Sequence, residues 1–312
     1  MFTVLAPGNV RRELSTSEWR SILSRLAKFC PHFYIFGGEP FARKDVLELT
    51  RTAVQHGATV GINTNGTLLG SKGAEIVDSG LDYLMVSLDG PEDVNDKIRL
   101  GSRGFTVVTA GIRELVAEKR SRRSGFPQLE LIMTLTADNQ DRIVETSKIA
   151  ESLGVDVFAL GFGIFTTPEL ASVSSRQAQE EFGRDAKFFG AFVRDVSGIN
   201  ADMVETQVIE VRNRWRSRFK TYPPIRFRIH EYFQHPERPL MNAGCITPWL
   251  SVQIMSNGDM AFCSDFPDFV VGNVRDSDVL KLWNGSGSRA WRRRIRTKGI
   301  FPAENRCCDH HV

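Results

Sequence analysis

The chain has 312 residues, 41% of them hydrophobic and 25% charged, with a formal net charge of +3. That length can bury one large or two ordinary domains, the composition is that of a globular protein, and the charge is too small to argue for nucleic acid as a partner. No run has the length of a membrane-spanning helix and residues 1–20 lack a signal peptide's apolar core, so no membrane partner is expected and the cytoplasm is the default location.

Residues 1–14 show no period and read as loop. Ser15-Thr16-Ser17-Glu18 has capping-box spacing, and Trp19, Ile22, Leu23 and Leu26 recur on one face, which predicts a helix over Thr16–Lys28. Cys30 leads into an apolar strand, Phe33–Phe36, and is expected to be a small buried residue. The strand runs into Gly37-Gly38-Glu39-Pro40. Two residues without a Cβ let the backbone turn or meet a ligand closely, and Glu39 sets a carboxylate at the strand's C-terminal end. Taken alone, this is a strand followed by a turn.

The unit then repeats. A helix near Asp45–His56 precedes strand Thr59–Asn63, which leads into Thr64-Asn65-Gly66-Thr67 and a short helix near Ala74–Ser79. Strand Tyr83–Leu88 leads into Asp89-Gly90-Pro91, and a helix spans Thr106–Lys119. Strand Leu129–Thr136, a helix near Asp141–Leu153 and strand Val155–Leu160 follow. Strands alternating with helices at this spacing predict a parallel α/β sheet, with functional groups at the strands' C-terminal ends. A crossover helix normally joins two strands, so the helix at Thr16 predicts a further strand upstream of Met1.

Residues 173–218 read as mainly helical, with Phe182, Phe188, Phe189 and Phe192 as core contacts, and Tyr222-Pro223-Pro224 as a boundary. Beyond it, short strand-like pieces such as Leu250–Met255 alternate with turns such as Ser256-Asn257-Gly258-Asp259. Four of the five cysteines fall here: Cys245, Cys263, Cys307 and Cys308. Clustered thiols in a cytosolic chain suggest metal or redox chemistry more readily than disulfides.

The GGEP segment, the TNGT segment, Val86-Ser87-Leu88-Asp89-Gly90-Pro91 and Arg99 occur in that order, the three motifs each after a strand. Together they resemble the core of radical S-adenosylmethionine enzymes. The resemblance implies a partial (β/α)6 TIM-like barrel lacking its first strand, followed by a small α+β cysteine-containing domain. It divides the chain into a barrel over 1–200, a helical linker over 201–240 and a cysteine domain over 241–312. It also implies that Gly37, Gly38, Glu39 and Pro40 lie against the cofactor's amino group, that Ser87 and Asp89 border it, that Arg99 lies near its carboxylate, and that Asn65 lines the same pocket. Carbonyls and carboxylates suit an ammonium as acceptors.

Cys245, Gly258, Cys263, Gly272-Asn273, Leu282-Trp283-Asn284 and the final cysteine pair are similar to the SPASM or twitch module. That resemblance implies one auxiliary [4Fe–4S] cluster on Cys245, Cys263 and Cys307 or Cys308, with Ser256–Asp259 closing a hairpin between the first two thiols. Where the family often carries CxxC, Glu304 stands three positions before Cys307, so which of the adjacent thiols ligates stays open.

One departure is large. The family holds its catalytic [4Fe–4S] cluster with CxxxCxxC, and these 312 residues contain no such motif. Two accounts follow. Either the chain is an N-terminally shortened form of a radical enzyme, whose full-length parent would carry the catalytic cluster and draw electrons from a ferredoxin or flavodoxin, or it is a non-catalytic relative that binds a peptide or partner and keeps a structural cluster. Truncation explains the missing strand and the missing thiols together, and a peptide or protein is the expected substrate.

Overall fold

The computed structural model describes residues 12–99, 101, 103–225, 228–240 and 245–306. In chain order the first elements are α1 (Thr16–Leu26), β1 (His32–Ile35), α2 (Val46–Gln55), β2 (Thr59–Thr64), α3 (Gly73–Asp78), β3 (Tyr83–Ser87), α4 (Glu92–Ile98), α5 (Gly104–Ser121), β4 (Gln128–Thr134), α6 (Ile143–Leu153) and β5 (Val157–Gly161). Then come α7 (Pro168–Phe182), α8 (Phe188–Ala191), α9 (Ala201–Trp215), β6 (Phe219–Tyr222), α10 (Ile229–Gln234) and α11 (Thr247–Leu250). The chain closes with β7 (Gln253–Ile254), β8 (Asp259–Ala261), β9 (Gly272–Asn273), α12 (Val279–Trp283) and α13 (Ser286–Lys298). Among the described residues they form two compact units, one within 15–162 and 202–221, the other within 12–14, 163–201 and 222–306.

The first unit is built on a six-stranded sheet in the order β1-β2-β3-β4-β5-β6. Pairing from β1 through β5 is parallel, as the helical crossovers require. The capping box predicted at Ser15 forms: its hydroxyl accepts from Glu18 N while Glu18 Oε2 accepts from Ser15 N at 2.7 Å. Because strand side chains alternate, the register sorts the residues into two faces. One face carries Val60, Ile62, Leu84, Val86, Leu129, Leu131, Met133, Phe158 and Leu160, all fully buried. The opposite face carries Tyr34, Gly61, Asn63, Tyr83, Met85, Ser87, Gln128, Glu130, Ile132 and Thr134, and is only partly covered.

The second unit has an antiparallel sheet, β7-β8-β9, and an aromatic core. Phe189, Phe192, Phe262, Phe266, Phe269, Trp291 and Phe301 are buried together, with Phe182 and Phe188 against them. Phe269 and Trp291 have centroids 4.3 Å apart and Phe269 stacks on Phe301 at 5.5 Å, so broad apolar faces and quadrupole contacts hold this unit. The turn predicted between β7 and β8 forms. Met255 N donates to Asp259 O at 2.8 Å, and Gly258 takes φ +89°, a conformation that L side chains rarely adopt.

Three details differ from the sequence reading. Cys30, expected in the core, is half-buried and directs its thiol to His32 O at 3.5 Å. Helix α4 was not anticipated; it is short and follows Pro91 directly, so it offers little period to read. Strand β6 was not anticipated either, because four residues between an arginine-rich helix and Pro223 carry too little alternation.

Candidate functional site

The strand ends of the first unit bring two polar clusters together from the predicted residues. Beyond β1 the chain turns at Gly37, φ +144°, and a Cβ built on Gly37 or Gly38 would meet nothing within 4 Å. The backbone is therefore open on that side. Glu39 then caps a short 3-10 turn over Pro40–Ala42, its Oε1 accepting from Phe41 N at 2.9 Å. The same carboxylate accepts from the Thr64 hydroxyl at 2.8 and 3.0 Å and from Asn65 N at 2.8 Å. Glu39 is thus a strap that fastens the GGEP segment to the TNGT segment. Most of a carboxylate's acceptor capacity is used in doing so.

The second cluster is centred on Asp89, only 5% exposed. Its Oδ1 accepts from Thr134 N at 2.8 Å and its Oδ2 pairs with Arg99 Nη2 at 2.7 Å. Asp89 N donates to Asn95 Oδ1 at 3.0 Å, and its carbonyl accepts from Asn139 Nδ2 at 2.9 Å. Asn139, fully buried, also donates to Thr134 O at 2.9 Å and accepts from Thr136 N at 2.7 Å. Asp89 therefore joins the ends of β3 and β4 and aims Arg99. The Arg99 Nε and the Thr136 hydroxyl are buried without a hydrogen-bond partner among the described residues. Buried donors left in this state are costly unless something accepts from them.

Ser87 stands at the end of β3 on the partly covered face and is half-buried. The sequence reading passed over Thr64, Asn95, Thr134 and Asn139, which hold the two carboxylates in place. Thr64 could have been found as the first residue of the TNGT segment. Asn139 sits in a loop with no period to expose it.

In the second unit, Cys245 and Cys263 are half-buried and pack against the aromatic core. Cys307 and Cys308 lie outside the described residues. Among the described residues no group of three or more His, Cys, Asp or Glu side chains could hold a metal, and no helix is long and apolar enough to cross a membrane.

The residues present suit the groups that the sequence implies. An amino acid carboxylate would satisfy donors such as Arg99 Nε and the Thr136 hydroxyl, and the open side of Gly37 and Gly38 leaves room for a ligand backbone. Two thiols beside an aromatic shell suit iron and sulfide.

A profile described as an iron-sulfur cluster-binding domain, SPASM, matches residues 245–309. Pre-heme d1 synthase of Dinoroseobacter shibae is 30% identical over 166 residues, covering 53% of this chain and 39% of that protein. An AdoMet-dependent heme synthase of Oleidesulfovibrio alaskensis is 24% identical over 96% of this chain and 73% of its own length. A PqqA peptide cyclase of Gluconobacter oxydans is 25% identical over 87% of this chain and 68% of its own. Among solved structures, Streptococcus suis SuiB bound to precursor peptide SuiA superposes with a TM-score of 0.65 at 17% identity, covering 97% of this chain and 66% of that one. That likeness concerns the fold. The profile of the Radical SAM superfamily matches residues 6–169, more than half the chain, and this protein belongs to that superfamily, with a SPASM domain at its C-terminal end.

Proposed function

We propose that the first unit binds S-adenosylmethionine at its strand ends and that the protein serves in the modification of a peptide. The observation that carries this reading is the pairing of the two clusters: the GGEP segment strapped through Glu39 to the TNGT segment, beside an Asp89–Arg99 pair with one guanidinium edge unsatisfied. In this reading the open backbone of Gly37 to Pro40 meets the cofactor's amino end. Arg99 offers Nε to its carboxylate, and Ser87, Asp89 and Asn65 border the pocket. When bound beside a catalytic [4Fe–4S] cluster, this cofactor supplies a 5′-deoxyadenosyl radical for hydrogen abstraction. Since the 312 residues hold no CxxxCxxC motif, this polypeptide by itself binds the cofactor without cleaving it.

In the second unit we assign Cys245, Cys263 and one or both of Cys307 and Cys308 to one auxiliary [4Fe–4S] cluster. A peptide substrate is supported by a relative named for a peptide cyclase and by a fold neighbour that holds a precursor peptide. A heme-type substrate is the second reading, supported by the heme synthases among the relatives.

Anaerobic reconstitution of the purified chain is the test. About one [4Fe–4S] cluster per chain is expected, with S-adenosylmethionine retained in equilibrium dialysis and no 5′-deoxyadenosine released on reduction with dithionite. Cys263→Ala should lose most of the iron. Release of 5′-deoxyadenosine above background, or a wild-type chain that takes up no iron, would overturn the assignment.

A further inference from the structure

The partly covered face of the first sheet holds a second polar feature, below the strand ends. Register places Asn63, Met85, Glu130 and Val157 in one row across β2, β3, β4 and β5. Glu130 is 7% exposed, and one of its oxygens, Oε2, accepts from Lys220 Nζ of β6 at 2.9 Å. Its other oxygen, Oε1, is buried with no hydrogen-bond partner among the described residues, and so is Asn63 Oδ1. The two acceptors lie on the same face, on strands separated only by β3 and roughly 10 Å apart from backbone to backbone, with Met85 between them in the row. Tyr34 walls the row. Its ring lies against Gly61, where a Cβ would come within 2.9 Å of it, and its hydroxyl reaches Met85 Sδ at 3.5 Å. Tyr34 and Tyr83, on the same face, are 43% and 44% exposed, and Asn63 and Met85 within the row are half-buried.

An apolar wall with a few convergent polar atoms is the make-up of a ligand site, and leaving two buried acceptors unsatisfied is costly. Three kinds of group could approach. A carboxylate offers no hydrogen and is repelled by Glu130. A cation is disfavoured because Lys220 already neutralises that carboxylate, and a second positive charge would be left uncompensated beside it. A neutral N–H donor meets neither objection, and the amino end of a primary carboxamide carries two hydrogens for two acceptors.

We propose that Asn63 and Glu130 form a floor that receives the carboxamide of an asparagine or glutamine side chain of the substrate peptide. This rests on the peptide reading above for its substrate, but the floor itself rests on the row and its ion pair.

The test uses the whole chain and three small probes: propionamide, propionate and propylammonium, with binding followed by saturation-transfer NMR. Propionamide should bind the wild type and weaken about five- to tenfold in Glu130→Gln and in Asn63→Ala, the loss expected for one buried hydrogen bond. Lys220→Met leaves the carboxylate unpaired, and should shift the preference to propylammonium. Circular dichroism confirms that each variant is folded, and Asn63→Ala, which leaves the ion pair intact, serves if Glu130→Gln is not. The proposal fails if propionamide does not bind, if it binds the two variants as well as the wild type, or if the wild type takes propionate or propylammonium equally. Retention of S-adenosylmethionine is measured on the same samples. Its loss with propionamide binding intact would sink the cofactor reading and leave the floor standing.

Discussion

At the scale of single residues, Glu39 and Asp89 hold neighbouring backbone in place. Glu39→Ala would leave Thr64, Asn65 and Phe41 donors unpaired, and a cost of about 2–4 kcal/mol is expected in urea unfolding, with Glu39→Gln in between. The Asp89–Arg99 pair has one deeply buried partner, Asp89 at 7% side-chain exposure, so a double-mutant cycle with Asp89→Asn and Arg99→Met should show coupling of about 1–3 kcal/mol. A coupling near zero would make Asp89 only the tie to Thr134 and Asn139. Asp268 supplies a pH test. Burial raises its pKa from the usual 3.8, against the hydrogen bonds it accepts from Phe188 and Lys187. A carboxyl with a raised folded pKa binds its proton more tightly when folded, so stability is lost as pH rises from about the unfolded value through the folded one. Asp268→Asn should remove that slope, which thermal melts across pH 3 to 7 would reveal.

At the scale of elements, much of the first unit was legible and the reason is periodicity. Helix α1 announced itself through its capping box, and the five parallel strands through apolar runs ending at glycine, asparagine or aspartate. The TNGT turn could be read because Gly66 is required there: φ is +80°, and a Cβ would lie 2.8 Å from Val86 Cγ1 and 2.9 Å from Val108 Cγ1. Gly66→Ala should therefore cost about 2–4 kcal/mol through strain and overpacking together, measured by chemical denaturation. What the sequence could not show was partnership. Nothing in it tells that Glu39 would spend its oxygens on Thr64 and Asn65, or that Lys220 from a strand without clear alternation would neutralise Glu130. Such pairings join residues 25 and 90 positions apart, and they become visible only once the sheet order is known.

At the scale of the whole molecule, the chain has two units with different cements. The first is a mostly parallel sheet with one buried apolar face, and the second is a cluster of aromatic rings beside two thiols. Ligands that bind only one unit should stabilise that unit by mass action. Calorimetry is thus expected to show S-adenosylmethionine raising one transition and cluster loading raising another; a single transition moved equally by both would show that the units unfold together.

Arg306, the last described residue, is 1% exposed, and its guanidinium donates to the carbonyls of Glu231, Tyr232, His235, Arg238 and Asn305 at 2.5 to 3.0 Å. Five acceptors around one planar cation make an anchor rather than a contact. Cys307 is its covalent neighbour. In the cluster assignment proposed above, a chain anchored as far as residue 306 would raise the effective concentration of the thiols that follow it, much as a short linker does for a bivalent binder. Capture of the final ligand then costs little search entropy. An Arg306→Met chain should release iron to a chelator faster than the wild type, even under conditions where circular dichroism shows its helices intact.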